Sequence, residues 1–485
     1  MSVRPPLRPS FVAVVVASLA LIAPSRVSAQ QPASPHPAHP APAPDSAARA
    51  AEPPVTEPTP VKQPEIERHE MWMRPISGGW HVMGMAQLLP TVTSADPFQQ
   101  THVLRESEAY LTQPAVMFDV ASPGSRVALR TTLNFEAWTQ PDGELTYGGW
   151  GEGFLDRRHP HTLVHELMLS VNAWDVGGTA LSLSAGKGFA PYGTDDPMAR
   201  PVVKYPTNHH LSQILERWTV NAQLLAASGW SLEAGIFGGA EPVGPYDFDN
   251  LGSFGDSWSA RAAWRGGEGY GPFAPWEVSS SYARVTEGHH GSDAVTQLAN
   301  VSVRHSGTYG PGHLYGMVEA SRSWPEEGDG YYSLLGETRL GLGREARHQP
   351  YYRVELATRP EYERQGVPGT QGFFRYDHDA HEIGATRWLI NAIGYGYQAS
   401  DFPMSVRPYV EAQHHVVWPE RGDVDPRALY GTRNLWSVSA GVRVFFGGGP
   451  MRMGSYGVLD PMSAAMRPRE GAGTSAPEHE GHERH

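Results

Sequence analysis

The sequence predicts an all-β fold, a transmembrane antiparallel β-barrel of about 16 strands with short turns at one end and long loops at the other. The first reason is residues 435–446 (LWSVSAGVRVFF), where apolar side chains alternate with small polar ones and the run ends in an aromatic. A strand with lipid on one face and water on the other has that pattern. The second is the number of similar segments, and the third is the rhythm of their connections.

The N-terminus predicts export across a membrane. Arg4 and Arg8 precede an apolar run over 11–23, and Val27-Ser28-Ala29 then provides small residues for cleavage. Residues 1–29 are therefore predicted to be a signal peptide; an uncleaved anchor is the alternative. The sequence contains no cysteine, which excludes a lipid-modified cysteine, disulfides and thiolate metal sites.

Composition excludes two other classes of protein. Mean hydropathy is -0.40 and no later apolar run approaches the ~18 residues of a membrane helix, which argues against a helical bundle. A β-barrel keeps mean hydropathy low because only every second residue faces lipid. The net charge of -13 argues against a nucleic-acid partner, whose phosphates require Lys and Arg.

The flanks of the predicted barrel differ from its body in composition. Residues 30–74 are dominated by Pro and Ala, which predicts a disordered periplasmic spacer. Residues 75–446 form the predicted barrel. Residues 447–485 contain Gly, His and Met and are predicted to be a flexible periplasmic tail, whose His and Met side chains could also bind Cu or Zn.

Sixteen segments of the body have period-two alternation or β-rich composition, and an even number is what single-chain bacterial barrels require. The predicted strands are 80–90, 116–121, 126–138, 164–174, 179–187, 216–226, 230–238, 257–265, 276–285, 297–304, 312–321, 332–342, 351–358, 383–397, 405–415 and 435–446.

Short turns at 122–125, 175–178 and 227–229 alternate with much longer connections. In outer-membrane barrels short turns face the periplasm, which predicts that both termini of this chain are periplasmic. A soluble β-rich enzyme or a propeller is the alternative, and neither predicts this alternation.

Strand parity predicts a lumen with both signs of charge. Such a lumen suits a hydrated channel for polar solutes; the alternative is a lumen sealed by salt-bridged side chains. The charged residues predicted to line it are Arg130, Glu136, Glu166, Arg353, Glu355, Arg407, Glu411 and Arg443.

The strand plan, the closing strand from Trp436 to Phe446 and GKGFAPYG over 186–193 resemble the sixteen-stranded bacterial porins, including their substrate-selective branch. The last segment is similar to the pattern that opens a pore-lining region in those porins. The resemblance covers residues 75–446 and implies that Trp436 and Phe446 serve as a signal for the barrel-assembly machinery. Porins of this type are commonly trimers, so it also implies a possible homotrimer.

In the porins that this chain resembles, the third external loop narrows the bore. Residues 188–215 are the corresponding connection here. If it folds inward, Asp195 and Asp196 supply negative charge, and the facing positive charge comes from Arg200, Lys204, His209 and His210. An ordinary solvated surface loop is the alternative.

A histidine cluster, DRRHPHTLVHE over 156–166, raises a second possibility. His159, His161 and His165 are close enough in sequence to bind Zn or Cu. Parity opposes this, because odd-numbered residues of the strand turn toward lipid, and pairing with loop residues at the rim is the alternative. Residue 169 is Leu, so the two-histidine zinc protease motif fails.

The sequence contains no GxSxG elbow, no phosphate-binding loop and no cysteine nucleophile, which predicts that the protein is not an enzyme. The predicted function is passive diffusion of small polar or charged solutes across the bacterial outer membrane, with membrane lipids as surroundings and no required cofactor. A metal-associated binding or efflux-linked barrel and, more remotely, a barrel enzyme are the alternatives.

Overall fold

The computed structural model of the chain describes residues 73–96, 107–140, 156–157, 161–202, 206, 209–242, 245–247, 249–267, 274–289, 292–309, 312–326, 329–362, 374–375, 382–447 and 452–468. The predicted signal peptide and residues 30–72 of the predicted spacer lie outside this set. Every structural statement below concerns the described residues.

Sixteen strands form one closed sheet. They are β1 His81–Asp96, β2 Ser107–Ala121, β3 Val127–Asn134, β4 Val164–Ala173, β5 Thr179–Gly188, β6 Arg217–Ala226, β7 Trp230–Gly238, β8 Phe254–Gly266, β9 Trp276–His289, β10 Ser292–Tyr309, β11 Gly312–Pro325, β12 Tyr332–Gly341, β13 His348–Tyr362, β14 Glu382–Tyr397, β15 Met404–Gly422 and β16 Asn434–Phe446.

Each strand pairs antiparallel with its neighbours in sequence, and β16 pairs with β1 to close the ring, from Trp436 opposite Asp96 to Phe446 opposite Ala86. Closure leaves no unpaired sheet edge, which is the condition for strands to cross a bilayer. The chain is therefore an all-β transmembrane barrel of the predicted class, and each predicted strand segment overlaps one observed strand.

The outer face carries the apolar half of each alternation. In β16, Val438 is exposed and its neighbours Ser437 and Ser439 are buried in the interior. Exposed aromatics occur near both ends of the strands, as the interfacial girdles of a membrane barrel require; they are Trp258, Trp324 and Trp436 at one end and Trp230, Tyr397 and Phe446 at the other.

Short elements lie outside the ring. Short strands are Met73–Pro75, which pairs with β1, and Asp156–Arg157, which pairs with Phe374–Arg375. The α-helices are Glu136–Thr139, His209–Ser212, Pro426–Tyr430 and Pro461–Ala465, and the 3-10 helices are Ser77–Gly79, Pro123–Ser125, Pro197–Ala199, Asp249–Ser253, Arg344–Ala346 and Gly457–Leu459. None of the helices in the described part of the chain is long and apolar enough to span a bilayer.

The lengths of the connections distinguish the two ends of the barrel. The end with 122–126, 174–178 and 227–229 is called the short-turn end, and the end with 135–163 and 189–216 is called the long-loop end. The alternation has exceptions. At the long-loop end, residues 326–331 join β11 to β12 and residues 290–291 join β9 to β10, and at the short-turn end residues 267–275 join β8 to β9. Strands β9 and β10 extend beyond the predicted segments.

Several boundaries differ from the prediction, and in three places the type of structure differs as well. The predicted strand 126–138 ends at Asn134, and a helix turn over Glu136–Thr139 follows. Part of the predicted disordered spacer, Met73–Pro75, is a strand because it hydrogen-bonds to β1. The predicted flexible tail is folded over residues 452–468, which lie in the lumen and are called the lumen segment below; its apolar side chains are buried there.

Candidate functional site: the lumen and its constriction

Residues 189–216 are called the constriction loop after their predicted role. The residues of this loop that the structure describes lie in the lumen and bond to inward side chains on several strands. Arg443 on β16 donates to the carbonyl oxygens of Arg200 and Met198, at 2.8 and 2.5 Å. Arg407 on β15 donates to that of Pro201 at 3.0 Å. The loop therefore crosses between walls of the barrel, and the alternative of a solvated surface loop is wrong.

The local sequence explains the inward turn. Gly193 has a φ of +65°, and a Cβ there would lie 1.6 Å from the carbonyl oxygen of Ser212, so the close approach of the two halves of the loop requires glycine. The Gly193 N–H donates to Ser281 Oγ on β9 at 2.8 Å. Asp196 then accepts from the Met198 N–H and caps the short helix Pro197–Ala199.

Asp195 pairs with positive side chains from the barrel wall and from the lumen segment, and this network of ion pairs is called the Asp195 junction. Its carboxylate accepts from Arg304 on β10 and from Arg452 Nε, which lies 3.0 Å away in the lumen segment. Burial would raise the pKa of Asp195, but Arg452 and Arg304 together hold the pKa below its ordinary value. Arg452 also bonds both carboxylate oxygens of Glu277 on β9 at 2.9 Å. One carboxylate thus joins loop, wall and lumen segment.

The predicted division into a negative and a facing positive side is not observed. Arg200 donates from Nε to the backbone oxygen of Asp195 at 3.0 Å and pairs with Glu319 at 3.5 Å, so its charge is balanced by the wall. The Asp196 carboxylate accepts a hydrogen bond from the Met198 N–H within its own loop. Lys204 lies outside the described residues, and so does the side chain of His210.

The lumen segment is held on several sides. Arg130 on β3 donates to the backbone oxygens of Arg452 and Ser455 and pairs with Asp460 and with Asp119. Tyr456 donates to Glu166 on β4 at 2.8 Å. Apolar side chains fill the remaining contacts: Met453 and Tyr456 pack with Met168 and Phe189, Val458 and Leu459 with Ala180 and Leu225, and Met462 with Met83, Met85 and Met117.

The segment enters from the short-turn end and returns toward it. It follows β16, reaches Asp195 at Arg452, and its last described residue, Pro468, lies beside Gly124 in the short turn between β2 and β3. Sequence reasoning missed this part of the site. The available signal was the apolar content of 453–462, together with Asp460-Pro461, a favourable helix start.

The other predicted lining residues also face inward, and most of them are paired. Arg353 lies 3.1 Å from Glu337 and 3.7 Å from Glu355. Glu411 accepts from Tyr351 at 2.9 Å. Glu136 accepts from the Gln113 N–H and from Gln140. These contacts narrow the lumen with paired side chains, which is the feature on which the predicted alternative of a sealed lumen depends.

Two lining arginines differ from the rest. Arg339 on β12 and Arg407 on β15 both donate to Gln349 Oε1, at 3.1 and 2.9 Å, and neither forms an ion pair with a carboxylate in the described part of the chain. Arg407 lies three residues after the start of β15, which begins at the short-turn end. These two positive charges therefore both lie near that end of the lumen.

In the histidine cluster, the direction of the His165 side chain differs from the one that strand parity predicts. His165 and Glu166 are both buried, because the pairing of β4 with β3 shifts register where Thr132 opposes Glu166 and Leu133 opposes Val164. This bulge turns His165 inward instead of toward lipid. His161 and His165 then meet Glu216, which precedes β6, while His209 lies beside His161. His159 lies outside the described residues.

Comparisons with known proteins find similarity to solved structures. No protein-family model matches the chain, and no curated protein matches its sequence. Similar solved structures include an anion-selective porin from Comamonas acidovorans (8% identity, TM-score 0.41, covering 76% of this chain and 99% of that one). OprB of Pseudomonas putida (9%, 0.43, 75% and 94%) and the outer-membrane expressed OmpT of Vibrio cholerae (11%, 0.43, 77% and 100%) are also similar.

The chain forms a closed sixteen-stranded antiparallel barrel of the transmembrane type. The ring of strands, the polar interior and the two aromatic girdles are the features of this barrel that follow from its own residues.

Proposed function

We propose that this porin-like barrel passes small polar or charged solutes by passive diffusion, through a path narrowed by the constriction loop. The observation that supports the proposal is that Arg443 and Arg407 hold that loop inside the sixteen-stranded ring by hydrogen bonds to its backbone oxygens. A ring of this size has a bore that side chains alone do not fill. An inward loop and a charged lining then select by width and charge.

The lumen segment adds a second restriction, because its contacts with Asp195 and Glu277 close the space beside the loop. We infer that conductance through the native barrel is small and rises when these contacts are removed. The arginines without carboxylate partners, Arg339 and Arg407, favour anions over cations at the short-turn end. Both termini are proposed to be periplasmic, since short turns face that side in such barrels.

The test is single-channel recording in planar bilayers, with reversal potentials in a salt gradient giving the anion-to-cation permeability ratio. We expect discrete conductance steps with anion preference, reduced in R339Q and R407Q. A double variant, D195N with R452A, loosens the lumen segment and should conduct more. Absence of steps in both the native protein and the double variant would contradict the proposal.

Two further parts of the proposal have their own tests. We propose that the protein is not an enzyme, and liposomes containing it should release neither fatty acids nor cleaved peptide. A homotrimer, which the resemblance to porins implies, remains a prediction that crosslinking in native membranes would test.

A further inference from the structure

The second polar cluster of the lumen is centred on Glu216, near the long-loop end. His165 Nδ1 lies 2.7 Å from Glu216 Oε1, and His161 Nδ1 lies 3.2 Å from the same oxygen. One ligand atom from each of the three residues can be chosen so that all lie within 4.8 Å of one another. His165 is fully buried, and only 4% of His161 and 1% of Glu216 is exposed.

We propose that His161, His165 and Glu216 bind a divalent transition metal of the Zn²⁺ class inside the barrel. Imidazole nitrogen and carboxylate oxygen are ligands that Zn²⁺ prefers, and three protein ligands leave a position for water or a fourth group. A metal here would be a site beyond the diffusion function, and it does not depend on that function being correct.

The charges around the imidazoles favour a cation. Glu216 accepts from the Thr162 N–H at 2.9 Å, and a second carboxylate, Glu136, has Oε2 at 3.7 Å from His161 Nε2. Asp196 and Glu166 also interact electrostatically with His165. The neighbouring positive charges are the buried ammonium of Lys187, which donates to Thr162 Oγ1 at 2.9 Å, and Arg217, which pairs with Glu241. Carboxylates thus outnumber fixed cations, and either a metal ion or protonated imidazoles would balance them.

A nitrogen atom of His165 favours a bound metal ion over a cluster held by hydrogen bonds alone. The Nε2 of His165 is buried and has no hydrogen-bond partner among the residues that the structure describes. A buried nitrogen without a partner is costly in a purely structural hydrogen-bonded cluster, and a metal ion is one ligand that satisfies it. His209, whose ring centre lies 6.1 Å from that of His161, is near enough to be a candidate for the remaining position after small shifts.

The site joins three elements of the chain. His165 belongs to β4, Glu216 is the last residue of the constriction loop, and His161 ends the 135–163 connection. A bound metal would therefore fix the base of the constriction loop to the wall. It would be expected to raise the thermal stability of the loop, since a ligand that binds only the folded state stabilises it.

The test uses the full-length protein without an affinity histidine tag, stripped with chelator and titrated with Zn²⁺ in detergent. The C-terminal histidines are a second source of binding, so the same titration is run on full-length H479Q/H482Q/H485Q. We expect one tight site to remain in that background. H165Q and E216Q should each weaken it by about 10- to 100-fold or more, since even outer-shell changes cost that much. H414Q, on the outer face against Trp436, should bind as the native chain does.

The Co²⁺ spectra of the native chain and H479Q/H482Q/H485Q provide a readout that does not require H165Q or E216Q to fold. The native chain and H479Q/H482Q/H485Q should both give the visible absorption of a four-coordinate N/O site, which H165Q should lack. Equal Zn²⁺ affinity in the background chain, H165Q and E216Q would overturn the proposal. So would a Co²⁺ spectrum of H479Q/H482Q/H485Q that is indistinguishable from aqueous Co²⁺, because protonated imidazoles would then balance the buried carboxylates.

Discussion

Asp195 Oδ2 lies 3.0 Å from Arg452 Nε, and this ion pair joins two parts of the chain that both lie inside the barrel. Asp195 also pairs with Arg304 on the wall, and Arg452 with Glu277. The pair is buried, so each charge depends on its partners for stabilisation.

Replacing Asp195 with Asn should release the lumen segment. Breaking one side of a buried ion pair costs roughly 3–5 kcal/mol when the remaining charge is left uncompensated. The cost here is smaller, because Arg452 keeps its contacts with Glu277. We expect D195N to conduct more than the native chain while the barrel still forms. Single-channel recording measures the conductance, and D329N, at an exposed ion pair with Arg421, is the matched control that should change nothing. Equal conductance in D195N and the native chain would show that the pair does not restrict the path.

Acid should affect the same junction only at low pH. The pKa of Asp195 lies below its ordinary value of 3.8, so the stability it contributes is present above 3.8 and is lost as the pH falls through the lower folded value. Conductance of the native barrel should therefore stay level from near-neutral pH down to about 4 and rise in stronger acid. D195N should lack that acid-induced rise. A rise that is identical in both chains would assign it to another group.

Gly193→Ala should disorder the constriction loop. The substitution places a Cβ 1.6 Å from the Ser212 carbonyl oxygen at a φ of +65°, which adds a steric clash to the left-handed strain of about 1–2 kcal/mol. Gly177→Ala is the matched control, because its φ is +60° and nothing lies within 4 Å of the added Cβ. Thermal unfolding and current noise should change more in G193A. Similar effects in both variants would mean that strain alone matters.

Phe446→Lys should impair assembly. Phe446 ends β16 on the outer face and is 38% exposed, at the level of the short-turn girdle. A charge there disfavours the lipid-facing position and removes the aromatic that the resemblance to porins implies is read during assembly. The measurement is the heat-modifiable folded fraction in isolated membranes. Phe402→Lys, at another exposed aromatic in the adjacent turn, is the control and should fold normally.

The strands could be predicted from the sequence because lipid on one face and a polar lumen on the other impose period two on each of them. The inward position of His165 could not, since the bulge depends on how β4 pairs with β3. The folded lumen segment was not predicted for a related reason. Met453, Tyr456 and Met462 pack against inward side chains of the strands, and those contacts exist only when the barrel has closed. The placement of Asp195 in the lumen was predicted, but its partner Arg452 was not.

The lumen segment is covalently tethered to the strand that closes the ring, with residues 448–451 between them. A tethered ligand binds at an effective concentration set by its linker and not by how much protein the cell makes. Each barrel therefore has one lumen segment of its own. A lumen segment that dissociates from the interior stays close to it because it is still attached to β16. Rebinding is intramolecular, so the balance between filled and vacated interiors is the same at any abundance and changes only with the free energy of the contacts themselves.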